Sequence, residues 1–119
     1  MLIKRTADCN EFTANDGCGI REVLHPRNDG AGLPLSLAVA RVAPGKQSYA
    51  HYLEQIEVYY ILEGRGLMHV DDETAEVGPG DAVYIPARAH QWIENLGAEE
   101  LLFVAACVPP WSEEGDVRL

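Results

Sequence analysis

The stretch "HYLEQIEVYYILEG", residues 51–64, decides how the chain is read. Its second half is a run of β-branched and aromatic residues that stops at Gly64, which marks a strand ending in a turn. Alternate residues of a strand face opposite ways. Glu57, Tyr59 and Ile61 therefore share one face, and Val58, Tyr60 and Leu62 the other. Both faces are mostly apolar, which predicts cover on both sides, by a barrel interior and by a second subunit. A glutamate opening the inner face is costly unless it is paired, hydrogen-bonded or bound to a cation.

Outward from this strand, other short runs of the same character follow: "SLAVARV" (36–42), "GLMHV" (66–70), "AEV" (75–77), "DAVYIP" (81–86), "HQWIEN" (90–95) and "ELLFVAACV" (100–108). Turn residues separate them at "APGK", "DDET", "GPGD" and "NLGAEE". Strands so evenly spaced predict an all-β sandwich or small barrel. The expected organisation is a barrel over 36–108, an N-terminal segment over 1–35 in which "GIREVLHP" adds an edge strand, and a C-terminal tail over 109–119. In that tail "VPPW" reads as a clasp across the barrel or a partner subunit, and "SEEGD" as solvated.

A chain of 119 residues is one domain of ordinary size. Its 19 Asp and Glu against 9 Lys and Arg give a net charge of −10, which repels nucleic acid and anionic membrane surfaces. No apolar run approaches the roughly 20 residues of a membrane span. The N-terminal "MLIKRTADCN" lacks the features of a signal peptide, so a cytoplasmic location is expected. Cys9, Cys18 and Cys107 have no metal-binding spacing and read as free thiols.

Two stretches resemble the paired motifs of the cupins. "PGKQSYAHYLEQIEVYYILEG" is similar to the first, G(X)5HXH(X)3-4E(X)6G, with Gly45, His51, Glu57 and Gly64 in place. "GPGDAVYIPARAHQWIEN" is similar to the second, G(X)5PXG(X)2H(X)3N, through Gly80, Pro86 and Asn95. The resemblance implies a single-domain, cupin-2-like, antiparallel jelly-roll barrel. It also implies a divalent transition metal (Fe, Mn, Ni, Cu or Zn) in the barrel mouth, held by imidazole and carboxylate donors. Two of the four ligand places are changed. Leu53 stands at the second histidine, and Gln91 at the histidine of the second motif, with His90 beside it.

The expected metal set is thus His51 and Glu57 with either Gln91 or His90, since strand neighbours cannot both face inward. Gln55, Tyr59 and Trp92 are the expected further pocket residues. Three readings follow. One is a metal-assisted enzyme acting on a small polar metabolite. Another is a metal-free barrel that binds a small molecule, favoured by Leu53 and Gln91. The last is a structural dimer with an inert pocket. All three predict a homodimer through Val58, Tyr60 and Leu62.

Overall fold

The computed structural model describes residues 1–119. Eleven strands form two antiparallel sheets. The first sheet contains β1 (Glu11–Thr13), β2 (Gly19–Leu24), β3 (Ser36–Val42), β5 (Ile56–Glu63), β8 (Ala82–Ile85) and β10 (Leu101–Val108), in the order β1-β2-β3-β10-β5-β8. The second contains β4 (His51–Leu53), β6 (Gly66–Val70), β7 (Glu73–Val77), β9 (Gln91–Asn95) and β11 (Asp116–Arg118), in the order β11-β4-β9-β6-β7. A four-residue helix, α1 (Pro26–Asp29), follows β2.

Every strand read from the sequence is present, and "GIREVLHP" supplies β2. The short strands β1, β4 and β11 are additional. Both flanks of 36–108 enter the sheets: β1 and β2 extend the first beyond β3, and β11 pairs with β4. The acidic stretch "SEEGD" is therefore not wholly solvated, since its Asp116 opens β11 opposite Leu53.

The turns follow their chemistry. Gly64, between β5 and β6, has φ 86°, and a Cβ there would lie 2.6 Å from the carbonyl oxygen of Glu100, so only glycine fits. Asn95 pins the turn into β10, donating from Nδ2 to the carbonyls of Val42 at 2.9 Å and Glu99 at 2.8 Å.

Inward residues change character along the barrel. At one end Ile61, Ile85, Ile93, Leu101 and Phe103 are almost completely buried and form the core. Toward the other end, cross-strand register aligns Ser36, Cys107 and Glu57 on neighbouring strands, with Ala38, Ala105 and Tyr59 in the next inward row. Apart from Tyr59, small and polar side chains replace bulky ones there, so the interior opens into a cavity instead of closing.

Candidate functional site

The cavity has a volume of about 300 Å³ and lies between the N-terminal segment around β1, the wall of β3 and β10, and the C-terminal segment. His51 and Glu57 both line it. Leu53, one inward step beyond His51 on β4, adds an apolar wall.

The His51 ring is buried, with Nδ1 2.9 Å from the carbonyl oxygen of Tyr49. A carbonyl can only accept, so Nδ1 carries the proton when the ring is neutral, and Nε2 is left as an acceptor. Glu57 is 6% exposed. Its Oε2 accepts a weak hydrogen bond from the Cys107 thiol at 3.4 Å, and its Oε1 has no partner. Burial pushes the Glu57 carboxyl up to about 8, opposed by the Cys107 thiol and then reinforced by the charge of Asp16. Near neutrality this carboxyl is largely protonated. Burial also raises the Cys107 thiol, which remains a thiol and not a nucleophilic thiolate.

Gln91, not His90, faces the interior. Gln91 is fully buried and pairs with His51 across β9 and β4, whereas His90 is exposed, its backbone N–H donating to Asp71. Gln91 Oε1 accepts from the Tyr59 hydroxyl at 3.1 Å, and its Nε2 has no hydrogen-bond partner. The amide nevertheless lies near enough to Glu57 to offset part of the effect of burial.

The other expected pocket residues sit elsewhere. Tyr59 is buried behind the cavity, its ring 4.3 Å from that of Phe103. Gln55 is turned toward the C-terminal segment, donating to the Pro110 carbonyl at 3.2 Å and the Ser112 hydroxyl at 3.0 Å. Trp92 points away from the interior, as a neighbour of inward Gln91 must, and stacks on His69 at 4.1 Å. None of these three lines the cavity.

In their place stand residues without a motif to announce them. Asp16 comes from the N-terminal segment, and Trp111 and Asp116 from the C-terminal one. Asp116 Oδ2 accepts from the Trp111 indole N–H at 3.0 Å, while its Oδ1 is buried without a partner. Burial raises the Asp116 carboxyl, opposed by the indole and by His51. The C-terminal segment is held down by His25, whose Nε2 lies 2.8 Å from the Trp111 carbonyl, and by the Ser36 hydroxyl, which accepts from the Trp111 N–H at 2.9 Å. The clasp foreseen in "VPPW" thus closes over this chain's own barrel.

The metal expectation meets a donor set that does not suit it. No group of three His, Cys, Asp or Glu side chains is placed to hold an ion. Leu53 cannot coordinate, and Gln91 offers only a neutral amide oxygen, a weak ligand that already accepts from Tyr59. Transition-metal sites need three or four converging donors, and His51 with Glu57 make two.

The chain matches the family model described as a cupin domain over residues 38–107. The chain belongs to the cupins. An uncharacterized protein of Methanocaldococcus jannaschii is 45% identical over 105 residues, covering 87% of this cupin and 82% of the relative. An oxalate-binding protein of Thermotoga maritima is 30% identical over 69 residues, 57% of each chain. Among solved structures, the oxalate decarboxylase of Lactobacillus farciminis superposes with a TM-score of 0.82 at 21% identity, covering 95% of this cupin and 34% of that enzyme. This cupin thus spans about a third of the length of that decarboxylase, and the likeness shows the fold alone.

Proposed function

We propose that this cupin binds a small organic molecule in its barrel mouth and does so without a resident metal ion. The observation that carries the reading is the state of Gln91, at the place of the family's last histidine. In place of an imidazole it offers a neutral amide oxygen that already accepts from Tyr59, which leaves His51 and Glu57 as the strong donors among the four ligand places. The Glu57 carboxyl and the His51 ring, lining one cavity, are groups suited to holding a polar group or to passing a proton to one.

Protein purified without a histidine tag is expected to carry metal well below one ion per chain. Its melting temperature should not change with EDTA or with Mn, Fe, Ni, Cu or Zn ions. One ion per chain, lost in His51→Ala, would overturn the reading in favour of the metal-assisted enzyme. That second reading draws on one fact: His51 and Glu57 do line a common cavity. The homodimer expected from the outer face of β5 belongs to the same proposal.

A further inference from the structure

Apolar surface stays uncovered inside the barrel, and it is gathered in one place. Phe12 pairs with Ile20 across β1 and β2, and Ile20 with buried Ala40 on β3, so Phe12 stands on the inward side of the sheet. An inward aromatic ring is ordinarily covered, yet Phe12 is 44% exposed. The next inward row explains the gap. Ala38 and Ala105 are cross-strand partners there, and both are only half-buried, although Ala40 and Phe103 on one side and Ser36 and Cys107 on the other are buried. Two adjacent methyl groups make a flat floor where bulkier side chains would interdigitate. Phe12, Ile20, Ala38 and Ala105 all line the cavity, and Leu53 adds a further apolar wall.

A polar atom meets this apolar space without a partner. His51 lines the same cavity, with Nδ1 committed to the Tyr49 carbonyl. Its Nε2 makes no hydrogen bond within the chain, and unlike Glu57 Oε1 and Asp116 Oδ1 it is not closed off from the surface, so it is free to accept. Anions are disfavoured. The carboxylates of Asp16, Glu22 and Glu113 line the cavity, and its one guanidinium, that of Arg27, is taken by Glu22 at 2.8 Å. Size sets the rest. A dry apolar cavity of about 150 Å³ takes a single benzene ring. At about 300 Å³ this one has room for a fused pair.

We infer that the ligand is a planar, uncharged two-ring compound carrying a hydroxyl, whose rings lie on Ala38 and Ala105 beneath Phe12 and whose O–H donates to His51 Nε2. A planar body touches the floor over its whole face, whereas a puckered aliphatic one of the same size leaves gaps and loses those contacts.

The inference rests on the metal-free reading, and the test separates the two. Metal-stripped protein is equilibrated by dialysis at pH 7 with 2-naphthol, with 2-methoxynaphthalene (which cannot donate), with puckered decahydro-2-naphthol and with anionic 2-naphthoate. The naphthol is expected to bind with a Kd of about 0.1 mM or tighter, and each of the others at least about tenfold more weakly. Ala105→Leu and Ala38→Leu, which fill the space above the floor, are each expected to weaken naphthol binding at least about tenfold without lowering the melting temperature. His51→Phe should erase the preference for the naphthol over its methyl ether, while Glu73→Gln, on exposed β7, changes nothing. Equal or tighter binding of any of the three comparison compounds overturns the inference, as does the absence of naphthol binding. So does an affinity that survives both leucine substitutions in folded protein, or a preference that survives His51→Phe. Each of these leaves the metal-free reading standing. Stoichiometric binding of a divalent ion, lost in His51→Ala, overturns both together.

Discussion

Glu57 sits on the inner face of β5 with one oxygen held by a thiol and the other by nothing. Because burial raises its carboxyl from 4.5 to about 8, the folded chain binds this proton more tightly than the unfolded one. The stability linked to that proton is complete below about pH 4.5, declines as pH rises, and is gone above about pH 8. The total is at most roughly 5 kcal/mol. Glu11 and Asp29, whose carboxyls are lowered by Arg41 and Lys4, work in the opposite direction at acid pH. Glu57→Gln isolates the one contribution, since glutamine has the shape of the protonated acid and cannot ionise. In urea unfolding from pH 4.5 to 8.5, the variant should gain on the wild type as pH rises, and the gap should level off near pH 8. Parallel curves would show that Glu57 is charged throughout.

The element that completes the cavity is the C-terminal segment, and it is attached at several points. The Glu54 N–H donates to the Gly115 carbonyl at 2.8 Å, and the Leu119 N–H to the Ala50 carbonyl at 3.0 Å. Gln55 contributes two further bonds, to Pro110 and Ser112. Gln55→Ala removes both and leaves the part-buried Pro110 carbonyl without its donor, at a cost of about 1 kcal/mol. Hydrogen exchange should show that loss as faster exchange confined to residues 109–118, with β5 and β10 as protected as before. An equal rise in all strands would mean that the segment is part of one cooperative barrel and not a separately opening cover.

Over the whole molecule, the outer face of the first sheet is the feature that one chain leaves unresolved. Tyr60 and Leu62 on β5, Tyr84 on β8 and Val108 on β10 are 40–60% exposed. The register sets Tyr84 beside Val58, and Val104 beside Tyr60, which joins the side chains into a stripe across three strands. Contiguous apolar surface of this kind marks an association site more often than bare solvent contact. Light scattering at micromolar concentration is expected to report a dimer, and Tyr60→Asp with Leu62→Asp to return a monomer that keeps its fold. A wild-type monomer would sink the proposal.

Strand periods, turn residues and the inward direction of Glu57 were legible in the sequence because they depend on neighbours one or two positions away. Alternation within β5 and glycine or asparagine at a tight turn need no knowledge of the rest of the chain. The outward direction of Trp92 was equally legible once Gln91 is taken as inward, although Trp92 was expected in the pocket. The choice of Gln91 over His90 was not, because it depends on the phase in which β9 meets His51 of β4, a pairing between segments far apart in sequence. Nor was the cavity's acidic lining, since Asp16 and Asp116 lie at opposite ends of the chain and only the closing of both flanks over the barrel brings them together. The sequence determined the strands and one imidazole and carboxylate pair. Tertiary structure alone decided the pocket, because its charge and closure arise from contacts that no local period encodes.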